Sequence, residues 1–271
     1  MSELDTDEVK KQTADPKEMS FWDHLEELRG TIFRIIAGLI VCMILIFINR
    51  HIVFDIIIFG PTDDNFLLYR MFNRLAEMLS TPSLSIEPFK LQFQNVTMAG
   101  QFFVHISTSF WFGLVLSFPW IIYQIWMFVS PALYDNERKA VTRAFSFSSI
   151  LFFLGVMVAY FLVIPLSFKF LGTYHVSEKV ENIPTISSYI DMFVLLAISM
   201  GLVFQLPILI MLLSRIGVVR RQMLKKYRRH AVIGIVTLAA IITPTGDPFT
   251  MLVVSLPIWL LYEFSIFLCK K

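Results

Sequence analysis

The residues of this chain that could do chemistry are few, and most of them sit where apolar runs begin or end. Two short charged clusters stand out: Glu26, Glu27 and Arg29, which follow His24 and Leu25, and Asp135, Glu137, Arg138 and Lys139, which follow the apolar run that stops at Pro131. Two carboxylates on short interfacial elements could receive an arginine-bearing peptide, because guanidinium grips a carboxylate through a planar two-point fork that lysine cannot copy. Taken singly, each acid also reads as a solvated charge at a helix end. Deeper polar groups are Gln205, set in Phe204, Gln205, Leu206, Pro207, with Asp191 near the start of that apolar run and Glu263 in the last one. Gln205 reads either as an amide bonded to a carbonyl freed by Pro207 or as a group lining a polar path. His24, His51, His105, His175 and His230 are scattered at run ends and read as interfacial imidazoles in water. There is no Walker glycine loop, HExxH pair, GxSxG elbow or cysteine cluster, and the two cysteines, Cys42 and Cys269, have no metal or disulfide spacing. No enzyme activity, metal or other cofactor is expected.

The elements that must position these groups are membrane helices. Of 271 residues, 56% are hydrophobic and only 16% charged, where a soluble chain carries about 25% charge. Residues 1–19 are polar and mixed in charge and read as a disordered tail. Ser20 and Asp23 have capping-box spacing and open a short amphipathic helix, Phe21 to Arg29, expected to lie on the membrane surface. The first span follows from Thr31 to Ile48, about 18 residues or roughly 27 Å, with Arg34 placed to snorkel. Residues 49–104 carry too much polar backbone for lipid. They read as an outer loop with an amphipathic helix at about 65–79, whose apolar face is Phe66, Met71, Phe72, Leu75, Met78 and Leu79. Further spans are expected near 105–129, 145–171, 189–213, 231–242 and 249–268, the last two short. The whole is a single membrane domain over 20–268, all-α, with six transmembrane helices and a short tail at 269–271.

Lysine and arginine set the orientation. With the N-terminus inside, 17 of the 23 basic residues fall on the cytoplasmic side, seven of them between Arg215 and Arg229. Both termini are therefore expected in the cytoplasm.

The motifs themselves resemble the TatC family, the multispanning receptor subunit of the twin-arginine protein translocase. The resemblance rests on His24, Leu25, Glu27, Leu28, Arg29; on Ser117, Pro119, Tyr123, Gln124, Trp126, Phe128, Pro131, Ala132, Leu133, Tyr134, Glu137, Arg138; on Gly155, Ala159, Tyr160, Phe161, Pro165, Leu166, Phe168; and on Thr243, Pro244, Asp247. It implies a cupped six-helix protein of the bacterial cytoplasmic membrane that binds the consecutive arginines of signal peptides on folded precursors. Carried over by motif position, Glu27 and Glu137 would accept those arginines, with His24, Leu25, Leu28, Arg29, Pro131, Leu133, Tyr134 and Arg138 shaping the site. Gln205 falls where the family has a buried Glu or Gln implicated in contact with single-span partner subunits of the TatA and TatB type. Thr243, Pro244 and Asp247 fall in an outer turn assigned to the same partners. An oligomeric complex among membrane lipids, driven by the proton gradient and independent of nucleic acid, completes the expectation. The chain departs from the family in having Thr31 where many members have a basic residue, in having Gln205 and not Glu, and in a longer 55–100 region to which nothing carries over. A secondary transporter or channel, with Gln205 and Asp191 along its path, is the rival reading; a structural scaffold is a third.

Overall fold

The computed structural model describes residues 21–63, 66–79, 92–130, 135–177, 179 and 182–269. Among them the chain is helical, with a single isolated parallel bridge between Gln94 and Thr185. Five helical stretches are long and apolar enough to cross a membrane: His24–Ile48, Gly100–Val129, Phe145–Thr173, Ile186–Arg215 and Pro248–Phe267.

The first span corrects an expectation. Helix α1 runs without a break from Phe21 to Ile48 over 28 residues, so the amphipathic segment and the span are one rod. Gly30 lies where the two segments meet, and Arg34 Nε donates to its carbonyl at 3.2 Å, bracing that turn. A π-helical segment, Ile52–Ile58, and a 3-10 turn, Gly60–Thr62, lead into α2, Leu67–Met78. This is the amphipathic helix expected at about 65–79, but with its buried face rotated. Phe66, Leu68, Tyr69 and Ala76 are buried, whereas Met71 and Met78 are 54% and 81% exposed. Tyr69 decides the rotation, since its hydroxyl donates to the Pro61 carbonyl at 2.9 Å and to that of Pro165 at 3.3 Å. Phe66 follows it onto Tyr160 and Phe161.

Helix α3, Gly100–Val129, passes through Pro119 unbroken. The next span is built from α4, Asp135–Val158, a π-helical turn, Ala159–Val163, and α5, Ile164–Thr173. The wider turn sits directly before Pro165, where a missing N–H must be absorbed, and Ile164 N–H bonds Ala159 O across it. A second break separates α6, Ile186–Val203, from α7, Leu206–Ile216, with Pro207 near the start of α7. Half of the α6 span is buried, against 6% of the α1 span. Helix α6 is thus the centre of the bundle, and its Tyr189, Phe193, Leu196 and Met200 form the core with Val163, Ile164, Val254 and Ile258.

Helix α7 stops at Gly217, whose φ of +88° suits only glycine comfortably. The basic stretch expected as a loop is partly helical: α8 spans Arg221–Lys226 and α9 spans Arg228–Ile242. With 15 residues, α9 is as short as expected, about 22 Å against a hydrocarbon thickness of about 30 Å. The last helix is not short. Helix α10 runs 21 residues from Pro248 to Leu268, because Pro248 enters at the first helical position and Pro257 is tolerated mid-helix.

Candidate functional site

Helices α1 and α3 lie antiparallel, and their seam fixes the position of the first charged cluster. At the end of the seam away from the charged cluster, His105 stacks on Phe47 with ring centroids 4.0 Å apart. In the middle, Trp120 lies so close to Gly38 that an added Cβ would come within 2.4 Å of Trp120 Cδ1. Trp120 Nε1 donates to Arg34 O at 3.0 Å, and Arg34 Nη1 donates to Gln124 Oε1 at 3.3 Å. Arg34 reaches back toward the helix start, as snorkelling requires, and ends on an amide that is 2% exposed. The seam closes with His24 stacked on Phe128 at 4.5 Å and 25°. The start of α1 is therefore held against the end of α3, from which the chain runs on to Glu137.

On this rigid base Glu27 is half-buried. Its Oε2 is enclosed and, among the described residues, has no hydrogen-bond partner. Arg29 does not supply one, because its guanidinium lies 5.7 Å over the Phe33 ring. A buried carboxylate oxygen without a donor is destabilising in an isolated protein and is an acceptor in waiting. Leu25 and Leu28 are 39% and 36% exposed beside it, offering apolar contact. Thr31, where a basic residue is common in the resembling family, is buried at 4% and has no room for a solvated cation.

Glu137 and Arg138 belong to the first turn of α4, where acids also complement the positive helix end. Their side chains, together with Pro131, Leu133 and Tyr134, lie outside the described residues, as does Ser20 of the expected capping box.

The expected partner-contact residues are widely spread. Gln205 is used within the chain: its Oε1 accepts from Ser148 Oγ, and its Nε2 donates to Ser148 O at 3.1 Å and to Gly201 O at 3.4 Å. The Gly201 carbonyl is available because Gln205 N–H turns to Leu202 O at 2.9 Å. The amide thus mends the break before Pro207 and ties α4 to α6 where Gly155 brings the two backbones together. Asp247 caps α10, with Oδ1 accepting from Thr250 N–H at 2.6 Å and Oδ2 from Thr245 Oγ1 at 2.5 Å. Partial burial pushes its pKa up, but these hydrogen bonds outweigh it and hold the carboxyl below its ordinary value. Thr243 is buried and bonds back to Ala239 O at 3.0 Å, and Pro244 follows it in the turn.

Sequence reasoning gave Gln124 and Phe128 no role beyond membership in a motif, and gave Trp120 none. Their signal was the large aromatic side chain opposite a glycine, and an amide at the membrane edge facing an arginine. An apolar recess of about 420 Å³ lies between α1, α3, α4 and α6, lined by residues such as Phe112, Val115, Phe153 and Phe193. No carboxylate is among its lining residues.

A family model described as Sec-independent protein translocase protein (TatC) matches residues 23–257. The chain is 38% identical over 253 residues to the Sec-independent protein translocase protein TatC of Blattabacterium sp. subsp. Periplaneta americana, covering 93% of this chain and 95% of that one. To the protein of the same name from Escherichia coli it is 32% identical over 198 residues, 73% of this chain and 76% of that one. It is also similar to a crystal structure of a twin arginine translocase receptor, TatC, in DDM, with a TM-score of 0.69, 29% identity and coverage of 92% and 100%. A second crystal structure of such a receptor gives a TM-score of 0.66 at 28% identity, covering 90% of this chain and 97% of that one. The chain belongs to the TatC family of Sec-independent protein translocase proteins.

Proposed function

We propose that the chain is the receptor that takes up the twin-arginine signal peptides of folded precursors, through Glu27 and Glu137. As a member of its family it works in a twin-arginine translocase complex, and it is a multi-pass protein of the bacterial inner membrane and not an enzyme. The observation that carries the site is the enclosed Oε2 of Glu27, which among the described residues has no hydrogen-bond partner and lies beside the His24–Phe128 stack at the point where α3 ends. An incoming guanidinium supplies the missing donor, and Glu137 takes the second arginine from the start of α4. His24, Arg29 and Arg138 frame the two acids, and Leu25, Leu28, Pro131, Leu133 and Tyr134 meet the apolar part of the signal.

In this reading the membrane domain has six spans with α9 as the short fifth, and both termini are cytoplasmic, as the bias in basic residues favours. Single-span partner subunits of the TatA and TatB type assemble along α7, near Gln205, and at the outer turn of Thr243, Pro244 and Asp247. The short α9 supports this, because a 15-residue helix thins the bilayer locally or packs on a neighbour. The proton gradient supplies the driving force. The test is photo-crosslinking from positions 27 and 137 to a precursor with a twin-arginine signal and to its twin-lysine form. Strong crosslinks to the first and weak ones to the second are expected, and equal crosslinking to both would overturn the arginine-binding role.

A further inference from the structure

Signal binding leaves the densest charge cluster in the chain unused. Seven cations lie between Arg215 and Arg229, and no acidic residue occurs between Asp191 and Asp247. Of the seven, among the described residues, only Arg228 is ion-paired, with Glu263 at 2.6 Å. The short helix α8 in their midst is not loose, because Tyr262 of α10 donates its hydroxyl hydrogen to Leu224 O at 2.7 Å. That anchor places Arg221 with its guanidinium 5.9 Å over the ring of Phe267.

Phe267 fixes the level and the surroundings of this guanidinium. It is the last residue of the membrane-spanning stretch Pro248–Phe267 and is 72% exposed, so its ring faces lipid at the membrane edge. Arg221 therefore sits at the depth of phospholipid headgroups. Its Nε is buried and, among the described residues, has no hydrogen-bond partner. A guanidinium presents a planar set of donors that matches a phosphate, and an enclosed N–H without an acceptor favours a ligand that brings one. Lys225 lies one turn further along the same face of α8. Val218, Met223 and Tyr227 are 60%, 45% and 49% exposed between the cations, giving the mixture of apolar and basic side chains that settles at a bilayer interface.

We propose that the connector between α7 and α9 is a binding site for the phosphate of an anionic phospholipid headgroup, with Arg221 as its central ligand and Arg220 and Lys225 beside it. An acidic protein segment fits less well, since the buried face of Arg221 lies on a lipid-facing ring.

The test uses the full chain purified in detergent and titrated with phosphatidylglycerol, with bound lipid counted by native mass spectrometry. Phosphatidylcholine, inorganic phosphate and a polyglutamate peptide form the comparison arms. Phosphatidylglycerol is expected to be retained over phosphatidylcholine, with binding weakened about fivefold by Lys225→Gln and by at least about fivefold by Arg221→Gln. Arg70→Gln, on the distant helix α2, is expected to leave it unchanged. Lys225 is exposed, so its variant is expected to fold and decides the matter even where Arg221→Gln fails to fold. Unaltered phosphatidylglycerol binding in Lys225→Gln overturns the proposal. So does displacement of the lipid by inorganic phosphate at equal concentration, which marks a free-anion site. Preferential binding of polyglutamate, lost in the same variants, assigns the surface to an acidic protein segment and overturns the lipid site.

Discussion

Replacing Gly38 by alanine probes the seam on which the proposed receptor site is built. The added Cβ would lie 2.4 Å from Trp120 Cδ1 and 2.5 Å from Nε1, well inside van der Waals contact. The indole cannot simply swing aside, because its Nε1 is bonded to Arg34 O at 3.0 Å. Loss of that hydrogen bond costs about 0.5–1.5 kcal/mol, and forcing the helices apart costs about 1–3 kcal/mol. Alanine recovers up to about 1 kcal/mol of helix propensity. The net expectation is destabilisation by about 0.5–3.5 kcal/mol, with weaker signal-peptide binding because His24 and Glu27 shift relative to Phe128. Thermal unfolding of the detergent-solubilised protein, followed by tryptophan fluorescence, measures it. Gly234→Ala in α9 is the matched control: nothing lies within 4 Å of its added Cβ, so the propensity gain is expected alone. A Gly38→Ala protein as stable as the parent would refute the close-packed seam and the positional argument resting on it.

Glu27→Gln removes a charge whose Oε2 has no donor among the described residues, so thermal stability of the free protein is expected to hold or rise even as signal binding falls; a clear loss of stability would mark Glu27 as structural. Asp247 has a folded pKa below its ordinary value, so its contribution is present above the unfolded pKa of about 4 and is lost as pH falls through the folded value. Unfolding followed between pH 7 and 3 should show this slope in the parent and lose it in Asp247→Asn, while Asp247→Ala costs about 1 kcal/mol at neutral pH through the lost cap. Gln205→Leu strands Ser148 and the Gly201 carbonyl and should destabilise by about 1–3 kcal/mol. Gln205→Glu loses the amide hydrogens that reach Ser148 O and Gly201 O and should likewise destabilise by about 1–3 kcal/mol; unchanged stability in both variants would argue against the bonded geometry.

Much of this architecture was legible in the sequence, because lipid leaves few options to apolar runs of 18 residues or more. Four of the five spans lie close to where periodicity and hydropathy place them, and the short α9 was visible from its dozen apolar residues. What failed was local. Nothing in the composition around Gly30 distinguishes an interfacial helix joined to a span from one continuous rod, and the structure shows the rod. The buried face of α2 differs from the expected one because it includes Tyr69, whose hydroxyl is satisfied by the carbonyls of Pro61 and Pro165 while its ring is buried. Gln205 was legible as one of two alternatives, and its bonds to Gly201 and Ser148 favour the mended helix break, though the carbonyl involved is freed by the turn of Gln205 itself. For the candidate site, motif position singled out Glu27. Its distinguishing property, an enclosed oxygen with no donor among the described residues, depends on the register of α1 against α3 and could not be read from spacing.

The most direct measurement is a double-mutant cycle between Glu27→Gln and an arginine-to-lysine change at each of the two consecutive arginines of a signal peptide, read as dissociation constants with the purified full chain. One of the two arginines should couple to Glu27 by about 1.5–3 kcal/mol, the strength of a charge-assisted hydrogen bond. Effects that add to within about 0.5 kcal/mol at both arginines would contradict the claim that Glu27 receives a guanidinium.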